Sequence, residues 1–113
     1  MQVLFKSRHP QATELRELSV RRARFVLRRH VWMVPRAEVQ MSDVNGPRGG
    51  ADKPCQVELR TDGAGPVVVA SVANTWRSAL DKALARAARF LMRLWRRSTD
   101  SRRLRQRLAQ DER

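Results

Sequence analysis

Residues 75–97, TWRSALDKALARAARFLMRLWRR, decide the fold. Trp76, Leu80, Ala83, Ala87, Leu91 and Leu94 recur at three- and four-residue spacing, the signature of a helix that buries one stripe and wets the rest. Small Ala83 and Ala87 let such a helix lie close to a sheet. At about 100° per residue, Lys82, Arg86, Arg89, Arg93 and Arg96 fall within an arc of about 80° on the other side, a positive ridge along three to four turns. Asn74 or Thr75 supplies the N-cap.

Upstream, the period changes from 3.6 to 2. Ala37, Val39 and Met41 alternate with Arg36, Glu38 and Gln40, and Cys55, Val57 and Leu59 alternate with Gln56, Glu58 and Arg60, so each stretch is a strand with one wet face. Asp62-Gly63-Ala64-Gly65 is a hairpin connection, and Val67 to Val72 is a fourth, β-branched strand, apolar on both faces. At the other end, Gln2 to Lys6 forms a first strand with Val3 and Phe5 on one face, broken at Ser7-Arg8-His9-Pro10. Thr13 is the expected N-cap of a helix from Glu14 to about Arg29, with Leu15, Leu18, Ser19, Arg22 and Val26 on one face. Glu14 and Glu17 suit its positive end, Arg28 and Arg29 its negative end.

The fold class is therefore α+β, with order β-α-β-β-β-α: a four-stranded mixed sheet with two helices packed on one face. A right-handed crossover makes the first two strands parallel if they are neighbours, and the short connection makes the last two antiparallel. Residues 1–97 form the domain. Residues 98–113, with only Leu104 and Leu108 as apolar anchors, read as a basic tail, a frayed helix or disordered.

In 113 residues there are 24 Lys plus Arg against 11 Asp plus Glu, a net charge of +13 that points to a polyanionic partner. The charge is uneven: residues 1–30 hold +6, 31–73 hold −1 and 74–113 hold +8, so it belongs to the helical segments and spares the sheet. Arg21, Arg24 and Arg28 are the outward candidates on the first helix. Two basic helices above a near-neutral sheet suit structured RNA, where phosphates are neutralised and counterions released without base reading.

Chemistry of other kinds finds little support. The single cysteine excludes a disulfide framework, and no Cys/His cluster has zinc spacing. Cys55 alternates with Val57 and Leu59 as a buried strand residue. His9 and His30 flank the first helix without a catalytic partner at a suggestive spacing, so an enzyme is not expected. The Gly-rich loop at 44–54 lacks the ending of a phosphate-binding P-loop, though Arg48 and Lys53 flank amides that a phosphate could approach. Trp32, Trp76 and Trp95 sit at element ends, where core packing is the ordinary explanation, with Trp95 also placed to stack on a base. No window approaches the ~18 apolar residues of a membrane span, and the chain opens with Met1 to Lys6, not with a signal-peptide pattern, so a cytoplasmic location is expected.

Several stretches carry a resemblance. Ser7-Arg8-His9 resembles the Gly-Arg-His break of the ribosome hibernation promoting factor and ribosome-associated inhibitor family, also called sigma-54 modulation proteins. Thr13-Glu14-Leu15-Arg16 resembles its first-helix opening, and Ala79-Leu80-Asp81 with Arg86, Arg89 and Leu91 resembles its last helix. Asp43-Val44-Asn45-Gly46-Pro47-Arg48-Gly49-Gly50 with Asp52, Lys53 and Cys55 resembles a loop of one subgroup. Ser7 in place of glycine, Arg77 where an aromatic is common and an arginine-rich first helix depart from the pattern. Ending at residue 113, the chain resembles the short forms, without a dimerisation module.

The resemblance implies a β-α-β-β-β-α fold and a translation inhibitor that binds small-subunit ribosomal RNA and blocks the messenger and transfer RNA sites. Its contacts are then Lys82, Arg86, Arg89, Arg93 and Arg96, with Arg21, Arg24, Arg28, Arg48 and Lys53. It implies the small ribosomal subunit as partner, no cofactor, metal, membrane or small-molecule substrate, and a monomer in isolation. The rival is a structural or chaperone-like protein that coats RNA or DNA without a defined site.

Overall fold

The computed structural model describes residues 1–42 and 53–111. Strand β1 (Gln2–Ser7) is followed by helices α1 (Pro10–Thr13) and α2 (Arg16–Val26) and a 3-10 segment at Arg28–Met33; then come β2 (Arg36–Met41), β3 (Lys53–Thr61), β4 (Gly65–Ala73) and α3 (Trp76–Asp111). The sheet order is β1-β2-β3-β4. β1 and β2 are parallel, with Val3 opposite Ala37 and Phe5 opposite Val39. The two later pairs are antiparallel. The expected mixed sheet is what the chain forms, and both long helices cover one of its faces.

The alternation of β2 and β3 sets the inner face. Ala37, Val39, Met41, Cys55, Val57 and Leu59 are buried, and they pair directly across the strands, as Val39 with Val57 and Met41 with Cys55. From α3, Ala79, Leu80, Ala83, Leu84, Ala87 and Leu91 meet them and are fully buried. The alanines bring the helix axis near the strands while Leu80, Leu84 and Leu91 fill the space between. On β4 only Ser71 and Ala73 are buried. Val68 and Val72 lie on the open face, 56% and 47% exposed, which is why that strand reads as apolar on both sides.

The first helical region differs from the expected continuous helix. His9, not Thr13, caps α1: its Nδ1 accepts from the Gln11 amide at 3.2 Å, and Pro10 takes the first helical position, where no amide is needed. Thr13 ends that turn by donating its hydroxyl to the His9 carbonyl at 3.1 Å, a back-bond that bends helices. The chain restarts at Arg16, and the shift of phase turns Ser19 and Ala23 to the sheet and leaves Leu15 and Leu18 half-buried. Arg22, placed on the apolar face, is accounted for by Asp81 of α3: Nη2 donates to Oδ1 at 2.8 Å and Nε at 3.2 Å, joining the two helices.

Ser19 is fully buried, and its hydroxyl has no hydrogen-bond partner among the described residues. An unmade buried hydrogen bond costs about 1–3 kcal/mol, and alanine is the better helix former. Ser19→Ala is therefore expected to stabilise the fold by about 1 kcal/mol, read as a rise in the urea midpoint at unchanged slope.

Helix α3 does not stop near Arg97. Its N-terminus is capped by Thr75, whose Oγ1 accepts from the Ser78 amide at 3.1 Å, and it continues to Asp111. Its 36 residues span about 54 Å at 1.5 Å per residue. Residues 100–110 are all exposed, so the segment read as a tail is a helical arm projecting past the sheet.

Candidate nucleic-acid interface

Helix α3 positions the ridge by the same periodicity that buries its apolar stripe. Lys82, Arg86, Arg89, Arg93 and Arg96 are all exposed. The ion pairs formed wholly within the described residues are Lys6 with Glu38 and Arg22 with Asp81, and neither takes a ridge cation. The five charges are thus held on one rigid helix without carboxylate partners in the described residues. Arg86 is further fixed by donating Nη1 to the Ala70 carbonyl of β4 at 2.8 Å, which places the ridge toward that edge of the sheet.

Arg21, Arg24 and Arg28 are exposed on the outer side of α2 and the segment after it. Arg24 donates to the Met1 carbonyl at 3.2 Å, beside the opposite edge strand β1. The two arginine lines share the helical layer but lean to opposite flanks, with the Arg22–Asp81 pair between them. Lys53 stands apart from both. It begins β3, with its ammonium 4.8 Å from the centre of the Trp76 ring at the start of α3. Arg48 lies outside the described residues, as does most of the Gly-rich loop.

Trp76 is the core tryptophan. It is 6% exposed, donates Nε1 to the Ser42 carbonyl at 2.9 Å, and has the His9 ring 4.9 Å away. That tilted ring contact and the cap to α1 give His9 a structural task. The core reading fails for the other two: Trp32 is 62% and Trp95 42% exposed. Phe25, which the sequence did not mark, is 59% exposed on the outer side of α2. Arg28 lies over its ring, guanidinium carbon to ring centre 4.2 Å, and donates to the Phe25 carbonyl at 2.7 Å. Helical phase gave no signal, since Phe25 lies one heptad after Leu18, at the edge of the stripe read as apolar. Lys6, Arg8 and Arg16 were also missed; they line a cleft of about 1000 Å³ where β1 and β2 end.

Cys55 is buried, and desolvation pushes its thiol from 9.0 up to about 12. The neutral thiol is neither nucleophile nor ligand at ordinary pH. It should resist iodoacetamide at pH 8 until the protein is unfolded. Because the folded state holds this proton more tightly, the associated stability is intact below pH 9 and is lost as pH climbs toward 12. The slope reaches about 1.4 kcal/mol per pH unit. Between pH 8 and pH 10.5 the urea midpoint of the wild type should therefore fall relative to that of Cys55→Ala. Among the described residues no group of three metal-binding side chains comes together, and no helix is long and apolar enough to cross a membrane.

No family model matches the sequence, and no curated protein matches it. A solved structure of a ribosomal subunit interface protein from Coxiella burnetii does match, with a TM-score of 0.58 at 11% identity, covering 83% of this chain and 97% of the other. At that identity the likeness is one of fold: this chain has the architecture of that ribosomal subunit interface protein.

Proposed function

We propose that this chain is a ribosome-binding inhibitor of the hibernation promoting factor and ribosome-associated inhibitor family, acting in the cytoplasm on the small subunit. The observation that carries the reading is the row of exposed cations on α3, without carboxylate partners among the described residues, mounted on a fold similar to that of a ribosomal subunit interface protein. Lys82, Arg86, Arg89, Arg93 and Arg96 form the first contact line to ribosomal RNA and Arg21, Arg24 and Arg28 the second, with Lys53 and Arg48 as outlying contacts.

The mechanism needs geometry and charge only. Ridge cations neutralise phosphates and release their counterions, and the body seated on them fills space that messenger and transfer RNA would otherwise occupy. No bond is made or broken, so catalytic groups have no task here.

Competition tests it. The protein should co-sediment with small subunits near one to one, and added transfer RNA should displace it. Binding bulk RNA as tightly as ribosomes, with no displacement, would reject the reading in favour of a coating protein.

A further inference from the structure

The exposed rings of α2 and of the 3-10 segment after it call for an explanation that phosphate contacts do not give. Phe25 at 59% and Trp32 at 62% exposure stand in water, and Phe25 shares α2 and the turn after it with the exposed cations Arg21, Arg24, Arg28 and Arg29, with Glu17 the one carboxylate of α2. A helix that only had to meet phosphates would gain nothing from a phenyl ring there. Leaving one exposed forgoes the favourable burial that the core gives its other large side chains. Surface aromatics interleaved with arginine are instead what a strand of unpaired nucleotides requires, since phosphates meet the charges and each base has a flat face to stack.

The geometry at Phe25 is already that of a stack. The Arg28 guanidinium carbon sits 4.2 Å from the ring centre, and its Nη1 is held at 2.7 Å by the Phe25 carbonyl of the preceding turn. Both flat groups are thus fixed before any ligand arrives, which removes part of the ordering cost of binding. We infer that the Phe25–Arg28 stack is a platform for an unpaired nucleobase of single-stranded RNA. The inference rests on the RNA-binding reading and adds base stacking to it. An acidic protein surface would also satisfy the charges, and the last arm of the test separates it from RNA.

The test compares two labelled oligoribonucleotides of equal length and charge, a 12-mer of uridylate and the same backbone with abasic sites, by fluorescence anisotropy against the full chain. The wild type should bind the base-bearing strand about tenfold more tightly. Phe25→Ala should lose that preference and Phe25→Trp should keep it, while the dependence of affinity on salt stays as in the wild type, because no phosphate contact is removed. With Phe25 exposed, neither substitution should move the thermal midpoint.

Equal binding of both strands by the wild type, or an unchanged preference in Phe25→Ala, overturns the platform and leaves the polyanion reading standing. Binding of neither strand, together with no co-sedimentation with ribosomes, removes both. If Phe25→Ala weakens ribosome binding without altering either oligonucleotide, the ring meets a ribosomal protein and the platform is again overturned.

Discussion

Reversing two charges on α3, Arg86→Glu with Arg89→Glu, should reduce co-sedimentation with small subunits at least a hundredfold at physiological salt while the protein stays folded. The size follows from the charge change. The ridge gives up two cations and gains two anions, a change of four charges, facing a partner whose phosphates are closely spaced. Every phosphate left unneutralised also lowers the salt slope of binding by about 0.7–0.9. Both side chains are exposed, and neither belongs to an ion pair within the described residues. The structural damage is confined to the bond from Arg86 to the Ala70 carbonyl, worth about 1 kcal/mol at most on the surface. Arg89→Glu alone, which breaks no bond to β4, should lose part of the affinity with no change in melting. If the double variant sediments as the wild type does, the ridge is not the contact surface. If it fails only because it unfolds, the single variant still decides.

Arg22→Ala is the natural control. That arginine is as basic as its neighbours, but it is turned to Asp81 and half-exposed, so its removal should leave ribosome binding near the wild-type level and cost under about 1 kcal/mol of stability.

Legibility followed packing. Wherever a segment presses on the sheet, burial imposes a period, and the sequence shows it: Val39, Met41, Cys55, Val57 and Leu59 at two, and Leu80, Ala83, Leu84, Ala87 and Leu91 at three and four. The break at Thr13 to Arg16 was hidden because it is a local tightening of the backbone, the Leu15 amide donating to the Ala12 carbonyl three residues back, and periodicity does not register such a bond. The extension of α3 to Asp111 was hidden for the opposite reason: a helix that touches nothing has no stripe to display. For the interface, helical phase was enough to find the exposed cations. Their divergence to opposite flanks depends on which sheet edge each helix lies beside, a tertiary fact. Phe25 and Trp32 were obscured by the usual link between aromatic residues and cores, which Trp76 obeys and they do not.

The same contrast, a helix half inside and half outside the fold, makes the largest stability prediction. Leu84→Ala should cost about 2–5 kcal/mol and lower the thermal midpoint by about 10–20 °C, whereas Leu104→Ala on the same helix should change stability by less than about 0.5 kcal/mol. Leu84 is fully buried between the sheet and α3, where alanines on either side already bring the backbone close and leave little freedom to collapse into the space vacated. A domain of this size holds about 5–15 kcal/mol in all, so that one truncation removes a large share. Leu104 is 56% exposed, and its removal empties no cavity. Calorimetry on the two variants measures both effects. Comparable losses at the two positions would mean that the arm beyond Arg97 is packed in the folded protein. A large loss at Leu84 alone fixes the sheet-covered turns as the folding unit and leaves the arm as a charged rod whose order costs the core nothing.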